Sequence, residues 1–275
     1  MLIQFLHRLM QLRYRFYGIE NRRLVLERCT LHYYCNRCAN PKGILIFLHG
    51  LGTSSSTWFR ILPSFTDQYQ CYAIDLPGFG LSSVNGKGWF TLLDHVQTVS
   101  AFCHALALES YTLIAHSLGG WIAMHHGVLN ASRVDQLILL DTAGLWFEGI
   151  DELQTVFDIK STRDTQRLLD RLWYNYPWYM KLFTPAVTTH LQKKNCSEFI
   201  HSISSSDLLH HEVSKLVCPV TVIWGEEDRL IPKSVMLMLQ QLVPHLRSIT
   251  IPKCGHIPQL ERPKELNCIL HGIFP

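Results

Sequence analysis

The chain has 275 residues, carries a net charge of +3 at pH 7 and is 47% apolar. Its length suits one α/β domain with a modest insertion, and its apolar fraction excludes a disordered chain. The small net charge excludes a general nucleic-acid binder, which would carry a strong basic stripe.

Residues 2–17 place Leu2, Phe5, Leu6, Leu9, Leu12 and Phe16 at near-helical spacing, with Arg8, Arg13 and Arg15 among them. A secretory leader would put its charge ahead of the apolar run and small residues at a cleavage site, and this segment does neither. The pattern predicts a basic amphipathic helix over 1–23. Such a helix packs on the flank of its own domain or lies on an anionic membrane surface. The sequence has no run of about 18 apolar residues, so an ordinary transmembrane helix is not expected.

The nine cysteines are odd in number and their spacing forms no framework. They read as reduced thiols in a reducing, cytoplasmic setting, while the arginines and aromatics of residues 2–17 suit peripheral membrane contact. Cys35 and Cys38 form a C-x-x-C pair, but it lacks the second pair or histidine that zinc would need. Nor does it open a helix after a strand, as a redox pair would.

Residues 24–35 are rich in β-formers and predict two short strands. Short apolar runs recur at 43–48, 71–74, 111–115, 137–140 and 220–224, with a weaker one at 248–251. Runs of this length suit strands buried on both faces. Helical patterns lie between them at 91–108, 118–130 and 233–243. The alternation predicts an α/β fold with a mostly parallel central sheet, helices on both faces and the site at the carboxyl ends of the strands. The stretch 146–215 has no convincing strand but holds an aromatic cluster of Trp173, Tyr174, Tyr176, Trp178, Tyr179 and Phe183. It reads as a helical cap, broken by Pro177 and Pro185, inserted between core segments 24–145 and 216–275. Its aromatics suit either an acyl-chain tunnel or the cap's own core.

The strongest local signal is Ala115-His116-Ser117-Leu118-Gly119-Gly120, after an apolar strand and before a helix. A G-x-S-x-G elbow needs small residues two positions either side of its serine, and Ala115 and Gly119 meet that need. A serine hydroxyl needs a base to take its proton. Among 15 histidines, His256 is the best candidate, in a Gly/Pro-marked loop after the last strand. The other histidines fall mostly on helices or in the cap. His116 neighbours the serine, but adjacent side chains in a turn point apart. The supporting acid is Asp228, just past the strand at 220–224, with Asp141 at the end of another strand as its rival. Glu226 and Glu227 read as solvated loop charges. The order Ser, Asp, His is that of α/β hydrolases. The oxyanion donors are assigned to the backbone N–H groups of Leu51 and Leu118. The loop His49-Gly50 before Leu51 is placed at the substrate, its glycine allowing close approach.

The blocks HGLGTSSSTW (49–58), DLPGFGLSS (75–83), AHSLGG (115–120), WGEEDRLIP (224–232) and CGHIPQLERP (254–263) resemble the signature blocks of the α/β-hydrolase superfamily over roughly residues 40–275. Within it, LLDTAGLW (139–146) and the basic, aromatic N-terminal segment are similar to the small-lipase and monoacylglycerol-lipase branch. The resemblance implies Ser117, Asp228 and His256 as a catalytic triad, and a structural loop containing Asp75 and Gly78. Ala115 departs from the usual glycine, and Leu118 stands where many relatives carry methionine. The implied activity is a serine hydrolase of carboxylic esters, such as monoacylglycerols, with a small-molecule ester as partner and no cofactor or metal. A cofactor-free carbon–carbon bond hydrolase of ring-fission diketones and a non-catalytic small-molecule receptor are the alternatives.

Overall fold

The computed structural model describes residues 12–86, 89–192 and 194–274. The two β-rich stretches near the start form β1 (Glu20–Val25) and β2 (Cys29–Cys35), and the six apolar runs that follow form further strands of the same sheet. These are β3 (Ile44–Leu48), β4 (Gln70–Ile74), β6 (Tyr111–His116), β7 (Val134–Leu140), β8 (Val220–Gly225) and β9 (Arg247–Ile251), while the two-residue β5 (Ser83–Val84) pairs with β2. The order is β1-β2-β4-β3-β6-β7-β8-β9. Strands β4 through β9 along this path run parallel, and β1 and β2 join antiparallel at one edge.

Alternation along the central strands feeds two cores. Ile46, Leu48, Leu113, Ala115, Leu137, Leu139 and Val222 face one layer. Leu45, Phe47, Ile114, Ile138, Leu140 and Ile223 face the other. The period of two and burial on both faces are what a covered parallel sheet requires. Each fully buried aliphatic side chain contributes roughly 1.5–3 kcal/mol, so these strands anchor the domain.

Helices α1 (Leu92–Ala105) and α2 (Leu118–Leu129) cover the first face, through Val96, Phe102 and Ile122. Helix α1 begins at a capping box, with Thr91 accepting from the Asp94 N–H and Asp94 accepting from the Thr91 N–H. Between β7 and β8 lie α3 (Glu152–Phe157), α4 (Thr162–Leu172), α5 (Thr184–Leu191) and α6 (Lys194–Ser202), with no strand among the described residues. Pro177 and Pro185 stand at the starts of a short 3-10 helix and of α5. The chain then runs through α7 (Ser234–Leu242), α8 (Pro258–Glu261) and α9 (Pro263–Ile273). Leu266 and Leu270 of α9 pack with Trp58 and Phe65 on the second face.

Residues 1–11 of the helix expected over 1–23 lie outside the described residues. Of that segment, residues 12–16 are helical, and Tyr14 is buried with its ring 4.7 Å from Tyr34. The helix stops well before residue 23. Gly18 takes φ 67, and the N–H groups of Ile19 and Gly18 bond to the carbonyls of Tyr14 and Arg15. That Schellman closure ends the helix, and the chain from Glu20 enters β1.

The sheet order reverses direction between β3 and β6, a topological switch point. Leu48 pairs with Ala115 there, so the loops after both strands emerge side by side. A crevice at this place is where such sheets bind ligands. Among the described residues no helix is long and apolar enough to cross a membrane, and no disulfide links any of the nine cysteines. Cys35 lies in β2, and burial pushes its thiol pKa up, which suits an inert core residue rather than a redox partner.

Candidate active site

Ser117 joins β6 to α2 at φ 53 and ψ −115. Such a conformation costs a non-glycine residue roughly 1–3 kcal/mol and persists only where its surroundings hold it. Its N–H donates to the Leu140 carbonyl at 2.9 Å, and its own carbonyl accepts from Trp121 N–H at 3.1 Å. The turn is also tightly packed. A Cβ on Gly119 would sit 2.6 Å from the Leu48 carbonyl oxygen, and one on Gly120 would strike the Thr142 side chain.

Three side chains from separate loops meet at this turn. His256 Nε2 lies 2.9 Å from Ser117 Oγ, and His256 Nδ1 lies 2.7 Å from Asp228 Oδ2. Asp228 Oδ1 accepts from the N–H groups of Leu230 at 2.8 Å and Ile231 at 3.0 Å. A carboxylate only accepts, so the proton on His256 sits at Nδ1 and the Nε2 lone pair faces the serine hydroxyl. That is the tautomer a general base for Ser117 needs.

Asp141, the rival acid, lies beside Asp228 but does not bond to His256. It is fully buried, and its Oδ1 accepts from Gly225 N–H at 2.8 Å. Burial, and then the Asp228 charge, push its pKa well above the usual carboxylate range. It is therefore the neutral member of the pair. Ligand atoms of Asp141, Asp228 and His256 lie within 4.8 Å of one another, the only grouping of metal-ligand type among the described residues. Asp228 Oδ2 and His256 Nδ1 are spent on each other and Asp141 Oδ1 on the Gly225 N–H, so this donor set is committed within the protein.

The loop after β3 comes in beside the serine. A Cβ on Gly50 would sit 2.8 Å from His116 Nδ1 and 3.2 Å from Ser117 Cβ, so a side chain here would force the neighbours to shift. The Gly50 carbonyl accepts from Thr53 Oγ1 at 2.9 Å and from His49 Nδ1 at 2.8 Å. In a trans peptide the next N–H points the opposite way, so the Leu51 N–H faces away from His49. Leu118 opens α2, and the first N–H groups of a helix have no partner within it.

The sequence reading places His49 at the substrate, and the structure corrects this. The ring is fully buried, with Nε2 accepting from Leu76 N–H at 3.0 Å. Both ring nitrogens are spent inside the protein, and burial lowers the ring's pKa. His49 props the loop instead.

A family model described as the alpha/beta hydrolase family matches residues 45–267. The chain belongs to this family. It is 26% identical over 266 residues to a 2-hydroxy-6-oxononadienedioate/2-hydroxy-6-oxononatrienedioate hydrolase of Paraburkholderia phymatum, covering 90% of this chain and 92% of that one. It is 24% identical over 234 residues to Lipase 3 of a Moraxella species, covering 80% and 74%. A crystal structure of a membrane phospholipase A superposes with a TM-score of 0.85 at 22% identity, over 99% of this chain and 91% of that one.

Two residues of this alpha/beta hydrolase escaped the sequence reading. His116 Nε2 bonds to the main-chain carbonyl of His256 at 2.7 Å. Glu261 accepts N–H groups from both the His256 loop and the segment after α4. The one available signal was the placement of Glu261 within the CGHIPQLERP block.

The helical insertion of this hydrolase meets the loop after β3 at Gly52. His190 Nε2 bonds to the Gly52 carbonyl at 3.1 Å, and a Cβ on Gly52 would sit 2.8 Å from Leu191. Trp173, Tyr174, Tyr176 and Trp178 border a cavity of about 670 Å³ that also takes in Lys181 and Arg229 but neither Ser117 nor His256. Trp173 itself packs on Leu169 and Ile257. The apolar side chains that join Leu118 in the main core come from elsewhere in the insertion, among them Leu168, Leu191 and Phe199.

Proposed function

We propose that this chain is a serine hydrolase cleaving carboxylic esters of lipid-like acyl groups, such as monoacylglycerols, through an acyl-enzyme. The observation that carries the reading is the continuous chain from Ser117 Oγ to His256 to Asp228, at 2.9 and 2.7 Å. Ser117 Oγ attacks the ester carbonyl while His256 Nε2 takes the hydroxyl proton. Asp228 stabilises the imidazolium. The Leu51 and Leu118 N–H groups receive the oxyanion, a contribution of roughly 2.7–4 kcal/mol per donor. His256 then protonates the leaving alcohol. Water, deprotonated by His256, cleaves the acyl-enzyme to a carboxylic acid and restores Ser117.

The lipase among the relatives supports an acyl substrate. So does the apolar surface of Leu191 and Phe199 in the insertion, which acts as a cap over the site. Peripheral contact with an anionic membrane through residues 2–17 belongs to the same reading. Exposed Leu12 and Phe16 beside exposed Arg13 and Arg15 support it. The ring-fission hydrolase at 26% identity favours a second reading, carbon–carbon cleavage of a dienone by the same three residues.

The test is labelling by a fluorophosphonate probe, with a p-nitrophenyl ester series and a ring-fission dienone as substrates. Labelling of the wild type that is absent in Ser117→Ala, with turnover rising from acetate to longer esters, is the expected result. A folded wild type that takes no label overturns the serine-hydrolase reading. Turnover of the dienone alone moves the assignment to the second reading.

A further inference from the structure

Glu261 ends α8, five residues beyond His256, and faces two segments at once. Its Oε2 accepts the Gly255 N–H at 2.7 Å, from the loop that carries His256. The same carboxylate accepts the N–H groups of Tyr174 at 3.2 Å and Asn175 at 2.9 Å, from the insertion just past α4. A second tie runs beside it, since His256 N–H donates to the Leu172 carbonyl at 2.8 Å. The two segments also touch without room to spare. A Cβ on Gly255 would sit 2.6 Å from both the Leu172 carbonyl oxygen and the Tyr174 nitrogen.

We propose that Glu261 is a positioning residue that locks the 172–175 segment of the insertion to the His256 loop, so that the placement of the base depends on the docking of the insertion. This rests on the reading of His256 as the base for Ser117. Bonds to an ionised acceptor are the strong ones, and three converge on one carboxylate. Together with the bond from His256 N–H to Leu172, they join the loop to the insertion on both sides of Trp173. A shift of the insertion here is therefore transmitted to His256 and the residue next to it.

Glu261→Gln keeps the size but offers one acceptor oxygen in place of two, and an amide N–H₂ that opposes a backbone N–H. Hydrogen–deuterium exchange and ester kinetics on the full chain test the lock. The expected result is faster exchange in 172–176 and 253–257 together. It is accompanied by a fall in kcat of about tenfold or more, because misplacing a reacting group by about 1 Å costs on the order of 10²-fold. The KM for a short ester stays near the wild-type value. Faster exchange confined to 253–257, or a wild-type kcat in the folded variant, overturns the proposal. Should Glu261→Gln fail to fold, Glu261→Asp, one methylene shorter, is read by the same two criteria. The exchange arm needs no turnover. A wild type inert to the fluorophosphonate thus counts against the triad reading, while uncoupled exchange in an active enzyme counts against Glu261 alone.

Discussion

His116 and His256 are joined by a 2.7 Å hydrogen bond from His116 Nε2 to the main-chain carbonyl of His256. A carbonyl only accepts, so His116 carries its proton on Nε2 and leaves Nδ1 bare, next to Gly50. Burial, and then the neighbouring His256, hold its pKa well below the usual histidine range. It is a neutral prop beneath the loop that carries His256. Removing it strands a buried carbonyl, at a cost on the order of 1–3 kcal/mol. His116→Ala is expected to lower both Tm and kcat, with little change in KM. His116→Gln, whose amide can reach the same carbonyl, should recover part of both. Equal defects in the two variants would show that ring packing matters rather than the bond.

The two acids beside His256 predict opposite outcomes. Asp228→Asn replaces the acceptor of the Nδ1 proton, favours the wrong tautomer and should lower kcat by about 10⁴-fold. Asp141→Asn keeps a neutral side chain that can still accept from Gly225 N–H, so activity should be largely retained. Its stability effect depends on pH. The folded protein holds Asp141 protonated well above the ordinary value of 3.8, whereas the unfolded chain ionises near that value. Wild-type stability therefore falls as pH rises from the unfolded pKa toward the folded one. Thermal melts of both proteins at about pH 5 and about pH 8 should show Asp141→Asn gaining on the wild type at the higher pH. A constant difference would mean that Asp141 is ionised in the fold.

Ser117, Asp228 and His256 were legible in the sequence because each follows a strand end and sits among small or turn residues that mark its loop. Gly50 carried the same kind of local signal. His49 was misread because its role depends on Leu76, whose N–H its ring accepts across 27 residues. His116 was set aside for pointing away from Ser117, and its partner lies 140 residues on. Glu261 reaches Tyr174 across 87 residues. The aromatic cluster of the insertion shows the same limit. Its composition suits an acyl-chain tunnel and the insertion's own core equally, and only packing against Leu169 and Ile257 decides which way Trp173 faces. Strand periodicity specified the sheet since its information is local, and contacts between distant loops carry no such period.

Four buried histidines set the acid limit of stability. Burial lowers the pKa of His49 and His116, and takes His95 to about 3 and His126 to about 4. Each is neutral when folded, while the unfolded chain binds a proton near the ordinary 6.5. Their stabilising contribution is fully present above that value and is lost as pH falls toward the folded pKa values. Tm should thus fall between about pH 7 and about pH 5, before most carboxylates titrate. His126→Gln, which removes one of the four, should give a shallower fall. A flat profile would require that these rings stay accessible to protons in the fold. Asp141 works with the opposite sign over part of the same range, so the cleanest measurement is made in Asp141→Asn.

The conformation of Ser117 predicts a stability gain that activity forbids. At φ 53 and ψ −115 the residue is strained by roughly 1–3 kcal/mol unless it is glycine. Ser117→Ala removes the hydroxyl and keeps the Cβ that causes the strain. Ser117→Gly removes both, though it adds about 0.4–1 kcal/mol of unfolded-chain entropy. The net expectation is a higher Tm for Ser117→Gly than for Ser117→Ala, with neither variant taking the fluorophosphonate label. Since both lack the hydroxyl, the difference between them isolates the backbone. Denaturant midpoints at equal m-values would confirm it as stability rather than a change in the unfolded state. An Ala variant as stable as the Gly variant would mean that the bonds from Ser117 to Leu140 and Trp121 absorb the strain entirely.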